Sequence, residues 1–164
     1  MTSAGPPLTR HIVLLQALHA APERAAALTA GLPPAGLDWR PEPAAWNCRE
    51  TLAHLAAAEP PFYQRLQSIL AADNPWLPRF GPETARPETA EALPALLAQF
   101  EAGRRQLLRF LSELPAADWD RPAVHETMGP TTLLAQVQNI VNHDADHLSQ
   151  LESVCQRWAA RPPA

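Results

Sequence analysis

The sequence predicts an all-α protein built as a four-helix bundle. Two observations lead to this fold class. Four long segments repeat apolar residues at helical spacing, and no segment shows convincingly the apolar–polar alternation of a half-buried strand. The 164 residues fit one domain spanning 1–164, and a hydrophobic fraction of 46% is enough for a proper core.

The first predicted helix covers residues 8–29, where apolar side chains recur every three or four positions. Pro22 lies inside it, and a proline at this position either kinks the helix or begins a second, shorter one. A proline-rich stretch follows at residues 31–45, and its composition indicates a loop.

The second predicted helix covers residues 46–72. Pro60 and Pro61 lie inside it, and each removes one backbone N–H donor from the helix. We therefore expect a kink or a break near Glu59.

A long connection at residues 73–87 leads to the third predicted helix, residues 88–114. The connection contains several prolines and a glycine, so it is not helical itself. Its length would allow a crossover between helices that are not simple antiparallel neighbours. A further connection, residues 115–130, precedes the last helix.

The fourth predicted helix, residues 131–161, has the clearest pattern and contains neither glycine nor proline. Its inward seam alternates gaps of four and three residues, as expected of a helix that faces the core of a bundle. The seam consists of Leu133, Val137, Ile140, Asp144, His147, Leu151, Val154 and Trp158.

The composition excludes several classes of function. The net charge of −4 and the absence of a basic run argue against nucleic acid as a partner. All 13 basic residues are arginine, which excludes lysine-based catalysis. No apolar run is long enough to span a membrane, no signal peptide is recognisable, and the two cysteines form no disulfide framework. We expect a cytoplasmic protein.

Two histidines of the last helix, His143 and His147, lie four residues apart. On a helix this spacing places their Cβ atoms roughly 6 Å apart on neighbouring turns, so both imidazoles can bind one metal ion. A third candidate, His54, lies in the second helix, but a helical wheel places it roughly 120° from the centre of the apolar stripe. On the pattern alone, His54 is a surface residue.

Three charged residues occupy inward positions, Glu59 in the second helix, Arg104 in the third and Asp144 in the fourth. Buried charges are costly unless they are paired or bound to a metal, so these residues form either a polar pocket or a buried ion network. Asp144 could orient a histidine ligand through its second ring nitrogen, or act as a general base. His125, just before the last helix, could line the mouth of such a pocket.

In the order of its motifs, the sequence resembles the DinB/YfiT-like superfamily of metalloenzymes, in its DinB-like branch. The resemblance covers nearly the whole chain, and the helix-two histidine followed by the final HxxxH is its most specific part. The matching segments are Pro22-Glu23-Arg24 with Leu28, Trp39-Arg40-Pro41, Trp46 to Leu55, Phe100 with Arg104, Gly129 to Leu133, and His143 to Leu151.

The resemblance implies a four-helix bundle with a long crossover connection between helices two and three. It also implies a divalent metal ion, nickel or zinc, held by His54, His143 and His147. Some relatives act on low-molecular-weight thiols, so such a thiol is a second candidate cofactor. Asp144, Arg104 and Glu59 are then the candidate catalytic residues, and Arg104 could hold a substrate carboxylate.

Three functions remain open at this point. The first is a metal-dependent enzyme acting on a small-molecule substrate, either a thiol-dependent S-transferase or a hydrolase. The second is a non-catalytic metal- or small-molecule-binding bundle, such as a stress-response protein. The third is a metal-free interaction module, and a bundle of this size could form a homodimer through one helix face.

Overall fold

A computed structural model describes residues 7–80, 87 and 89–161 of the chain, with side chains from residue 10 onward. Most of these residues are helical. The described part contains four long α-helices, one short α-helix and one 3₁₀ helix (Ala116–Asp120). The α-helices are α1 (Pro7–Thr29), α2 (Pro34–Asp38), α3 (Cys48–Ala71), α4 (Leu93–Ser112) and α5 (Leu133–Ala159).

The four long helices surround one core, because α1 and α3 each pack against both α4 and α5. The helices α3 and α4 run in the same direction. Arg49 at the start of α3 donates a hydrogen bond to the carbonyl of Glu91, just before α4, and Tyr63 further along α3 contacts Phe110 near the end of α4. Two parallel neighbours need a connection that returns along the bundle, which is the geometry that the predicted crossover requires.

The second bundle helix, α3, begins at Cys48 because a capping box forms there. The Asn47 side chain accepts a hydrogen bond from the Glu50 amide, and the Glu50 carboxylate accepts one from the Asn47 amide, both at 2.9 Å. Arg40 also donates to both oxygens of Glu50, which ties the preceding loop to this helix start. The residues on either side of the cap are therefore fixed in place.

We expected a kink or a break near Glu59, and the break is wrong, since α3 continues as one helix through Pro60 and Pro61 to Ala71. Packing against α4 and α5 overrides the local effect of the two prolines. Gly103 of α4 illustrates how closely the helices approach, because a Cβ atom at this position would lie 2.5 Å from Cβ of Glu59.

The other helix boundaries shift by a few residues. The predicted start of the third helix at residue 88 lies outside the described residues, and α4 begins at Leu93. The predicted loop 31–45 contains the short helix α2. The last helix begins at Leu133, where the Thr132 hydroxyl caps it by accepting a hydrogen bond from the Ala135 amide.

The absence of strands was also predicted wrongly, because the connections form a small sheet. Strand β1 (Trp76–Leu77) pairs in parallel with β2 (Pro122–His125), and β2 pairs antiparallel with β3 (Gly129–Thr132). The strands have two to four residues and contain prolines and a glycine, so they lack the alternation by which strands are recognised in a sequence. The sheet brings both long connections to one end of the bundle.

The core consists of two apolar clusters with a polar layer between them. One cluster contains Leu18, Phe62 and Ile140, and the other contains Leu52 and Leu151. In α4 the two clusters are separated at residue 104, and the equivalent levels of α3 and α5 carry the other two inward charges of the sequence.

Cys48 and Cys155 are free thiols whose sulfur atoms lie 3.7 Å apart. No helix in the described ranges is long and apolar enough to cross a membrane.

Candidate metal centre

Three histidines from two helices come together beside the polar layer. His54 of α3 and His143 and His147 of α5 each offer one ring nitrogen, and these atoms all lie within 4.8 Å of one another. The closest pair is Nε2 of His54 and Nε2 of His143, at 2.9 Å. Two nitrogens bound to one tetrahedral ion at 2.0–2.1 Å would stand about 3.3 Å apart, so small side-chain movements fit the set to one ion.

His54 is buried, at 8% exposure, although the helical wheel placed it on the surface. The helical wheel is misleading here because α3 is buried on nearly all sides at this level, where every residue from 50 to 56 is buried. Its position relative to one apolar stripe therefore carries little information. The resemblance had assigned His54 to the metal site, and the structure places it beside the other two histidines.

The second ring nitrogens of the two α5 histidines face polar partners. Nδ1 of His147 lies 3.1 Å from Oε1 of Gln150, one turn further along the helix. Nδ1 of His143 lies 3.7 Å from Oδ1 of Asp144, and both atoms are buried without a hydrogen-bond partner among the described residues. A proton on each Nδ1 leaves the lone pair of Nε2 free on both rings, and that lone pair can bind a metal ion, as in other metal-ligating histidines.

The other oxygen of Asp144 belongs to a buried ion network. Oδ2 of Asp144 accepts a hydrogen bond from Nη1 of Arg104 at 2.7 Å, and Nη2 of Arg104 donates to Oε1 of Glu59 at 2.6 Å. All three residues are at most 3% exposed. The sequence allowed two alternatives for these residues, a polar pocket or a buried ion network, and their contacts form the ion network.

Burial and the two carboxylates have opposite effects on the pKa of Arg104. Burial alone would lower the pKa of Arg104, but the Asp144 and Glu59 carboxylates raise it above its ordinary value, so the guanidinium stays charged. Burial raises the pKa of Glu59, and the Arg104 charge opposes that rise.

The expectation that Arg104 holds a substrate carboxylate is contradicted by these contacts. Its guanidinium makes four hydrogen bonds, to Leu18 O, to Asp144 and two to Glu59, and it is 1% exposed. A substrate could reach it only by replacing a buried carboxylate. Arg104 and Glu59 therefore contact the histidine site only through Asp144 among these hydrogen bonds.

Aromatic side chains enclose the histidines, and the sequence analysis gave none of them a role in the site. Trp46 stacks on His147 with ring centroids 5.7 Å apart and meets the edge of His54 at 5.1 Å. Phe62 meets His143 edge-on at 5.1 Å. Because Trp46 immediately precedes the capping residue of α3, the capping box also fixes this ring over the site. The nearby apolar rings restrict the movement of the imidazoles.

Burial lowers the pKa of His147, and the neighbouring His143 lowers it further. A neutral imidazole is the form that binds a metal ion.

A pocket of about 300 Å³ opens next to the histidines. Its walls come from α3, α5 and the two connections that carry the small sheet, and they are mostly apolar. The lining residues are His54, Ala58, Pro61, Phe62, Arg65, Leu66, Phe80, Met128, Gln136, Asn139, Ile140 and His143. Two of the three histidines thus face a space large enough for a small organic molecule.

His125 lies behind the far wall of this pocket, at the end of β2, and is 6% exposed. Its Nδ1 faces the backbone amides of Thr127 and Met128 at 3.2 and 3.4 Å, and its Nε2 lies 3.3 Å from Nη1 of Arg65. His125 does not line the pocket, so the prediction that it lines the pocket mouth is wrong. It contacts Arg65, which does line the pocket and which the sequence analysis passed over.

The family model of the DinB superfamily matches residues 17–151. The chain belongs to the DinB superfamily. This confirms the resemblance seen in the sequence, since the match includes the second helix and the final HxxxH.

Two individual proteins show the same relationship. A protein of Oceanobacillus iheyensis named as a putative metal-dependent hydrolase is 23% identical over 109 residues, which cover 65% of this chain and 63% of that protein. The solved structure of YfiT from Bacillus subtilis, described as a probable metal-dependent hydrolase with an unusual four-helix bundle topology, superposes with a TM-score of 0.82. The two share 20% identity, over 97% of this chain and 93% of YfiT. The likeness confirms the four-helix bundle.

Proposed function

We propose that this DinB-superfamily protein is a metal-dependent hydrolase whose divalent ion is held by His54, His143 and His147. The observation that carries the proposal is the convergence of the three ring nitrogens within 4.8 Å. The two similar proteins are described as a putative and as a probable metal-dependent hydrolase, which supports the same class of reaction here.

The chemistry of the surrounding residues fits a metal ion. Without one, Nε2 of His54 and Nε2 of His143 face each other at 2.9 Å and must share a proton. With one, both nitrogens become ligands, and their second nitrogens can carry the protons. The buried pair of His143 Nδ1 and Asp144 Oδ1 is then a hydrogen bond that needs only a small closing movement.

His54, His143 and His147 would hold a divalent ion as three neutral ligands, and such an ion would supply a positive charge able to activate a water or thiol nucleophile. The chain's own residues orient the ligands. Asp144 lies on the Nδ1 side of His143, away from Nε2, and this supports an orienting role over that of a general base. Arg104 holds Asp144, and Glu59 holds Arg104.

Elemental analysis of untagged protein tests the ligands. The protein is purified without a nickel column or chelator, beside a His143→Ala/His147→Ala variant and a His19→Ala control, since His19 is an exposed histidine of α1. We expect about one equivalent of divalent metal in the wild type and in the control, and none in the double variant. A protein that contains no metal and refuses it on titration would overturn the proposal.

Hydrolysis of a panel of carboxylic esters and amides tests the reaction. We expect turnover that is lost in the double variant and after chelation, and restored by added nickel or zinc. The thiol-dependent transferase stays a prediction, and the same panel run with and without a low-molecular-weight thiol tests it. Activity that strictly requires the thiol would replace hydrolysis with transfer.

A further inference from the structure

The far end of the 300 Å³ pocket carries a cation that has no partner anion among the described residues. Arg65, three turns after His54 on α3, is the one residue of the pocket lining with a permanent charge, and the lining contains no aspartate or glutamate. Among the described residues, Arg65 forms no ion pair. Its guanidinium lies over the Phe80 ring at 3.6 Å and donates from Nη2 to the carbonyl of Pro78.

The remaining polar contact of Arg65 does not satisfy it. Nδ1 of His125 receives two backbone N–H groups, from Thr127 and Met128, so it is the acceptor nitrogen of the ring. In a neutral imidazole the proton then lies on Nε2. Nη1 of Arg65, at 3.3 Å from that Nε2, also carries only donors. The N–H groups of Arg65 Nη1 and His125 Nε2 therefore face each other, and among the described residues no acceptor lies between or beside them.

The neutral state of His125 has its own support. Burial lowers the pKa of His125, and the charge of Arg65 lowers it further. Arg65 and His125 thus place one positive charge and N–H donors from both side chains next to each other.

We propose that Arg65, backed by His125, binds the carboxylate of a substrate whose apolar body fills the pocket and whose reacting bond lies at the three histidines. A single guanidinium matches a monoanion, and no second arginine lines the pocket to favour a doubly charged phosphate. The apolar walls between the two ends, such as Phe62 and Ile140, match an aliphatic or aromatic chain. The place of the reacting bond rests on the proposed function, whereas the carboxylate site does not.

The distance between the two ends sets the shape of the substrate. Arg65 lies eleven positions after His54, which is about 16 Å further along the helix axis. The substrate is therefore elongated, with its carboxylate several bonds from the group that reacts.

Binding of a matched pair of probes tests the carboxylate site. The probes are 6-phenylhexanoate and the neutral 6-phenylhexan-1-ol, titrated by calorimetry into wild type, Arg65→Gln, Arg65→Lys and Arg105→Gln. Arg105 is an exposed arginine of α4 and serves as the control. Each protein is measured metal-loaded and metal-free, because a carboxylate could also bind the metal ion itself.

We expect wild type and Arg105→Gln to bind the carboxylate about tenfold more tightly than the alcohol in the metal-free state. Arg65→Gln should lose this preference, and Arg65→Lys should keep part of it, which separates loss of charge from loss of folding. Equal binding of the two probes by metal-free wild type, or an unchanged preference in Arg65→Gln, overturns the proposal. A protein that holds no metal but shows the preference refutes the hydrolase while leaving the Arg65 site intact.

Discussion

Two arginines lie on opposite sides of the histidine site, Arg104 in the ion network behind it and Arg65 at the far end of its pocket, and they differ in burial and in their partners. Arg104 is 1% exposed and forms ion pairs with Glu59 and Asp144 at 2.6 and 2.7 Å. Arg65 is half-buried on the wall of a pocket and forms no ion pair among the described residues. Their opposite surroundings also move their pKa values in opposite directions, since carboxylates raise that of Arg104 and burial lowers that of Arg65.

The partners of a guanidinium indicate whether it stabilises the fold or is available to bind a ligand. A cation whose donors are already taken by carboxylates stabilises the protein and positions its neighbours, but it cannot receive a ligand. A cation of the same type with donors left over is available for an anion from solution. The sequence pointed to Arg104 because its inward position was visible, whereas the availability of donors is a property of the three-dimensional contacts.

Replacement of Arg104 by methionine should have the largest effect. It keeps much of the side-chain volume but leaves the Glu59 and Asp144 carboxylates buried without their cation. We expect the free energy of unfolding to fall by about 3–5 kcal/mol in urea denaturation. The control is Arg105→Met, which removes an exposed pair with Glu101 and should cost about 0–1 kcal/mol. Equal losses in the two variants would mean that burial of the network does not matter.

Gly103→Ala tests the close approach of α3 and α4 that brings Glu59 to Arg104. The added Cβ atom would lie 2.5 Å from Cβ of Glu59, so one helix must shift. Such overpacking typically costs about 1–3 kcal/mol, measurable as a lower urea midpoint. Ala102→Ser, at an exposed neighbouring position of α4, is the control and should change the midpoint little. A Gly103→Ala variant as stable as wild type would show that the contact adapts freely.

Asp144→Asn tests whether the network reaches the metal. The amide keeps the shape of the carboxylate but weakens the hydrogen bond to His143 Nδ1 that would form when these two atoms, 3.7 Å apart, close on each other. We expect the affinity for zinc or nickel to fall about 10–100-fold, measured by competition with a chromophoric chelator. Asp146→Asn, an exposed acidic residue of the same helix, should leave the affinity nearly unchanged. If both variants bind metal alike, Asp144 belongs to the ion network alone.

The sequence predicted the bundle well because its strongest signal, the seam of α5, reports burial directly. Asp144 and His147 were visible as polar exceptions in that seam. His54 was not, because α3 is buried on nearly all sides at that level and a single apolar stripe has no meaning there. Only the resemblance placed it in the site.

The features that the sequence analysis missed come from the connections. The strands β1 to β3 are too short to leave a periodic pattern, yet their connections bring Phe80 and Met128 to the pocket and His125 to Arg65 on its wall. Trp46 and Arg65 gain their roles from long-range packing, which local spacing does not encode. A search for arginines without an acidic residue one helical turn away could have selected Arg65, but its sequence neighbours alone do not define a pocket.

Arg65→Gln should have the smallest effect on stability, and this contrast with Arg104 decides the comparison. The variant loses the contact with Phe80, which is worth about 0.5–1 kcal/mol, and an exposed hydrogen bond to Pro78 O that water can replace. It removes no partner from a buried carboxylate, so we expect a loss of at most about 1 kcal/mol in urea denaturation. Phe80→Leu, which removes the same ring contact but keeps the charge, should lose a similar amount. A loss of 3 kcal/mol or more in Arg65→Gln alone would place Arg65 in the same structural class as Arg104, because only an unrecognised buried anion would account for it.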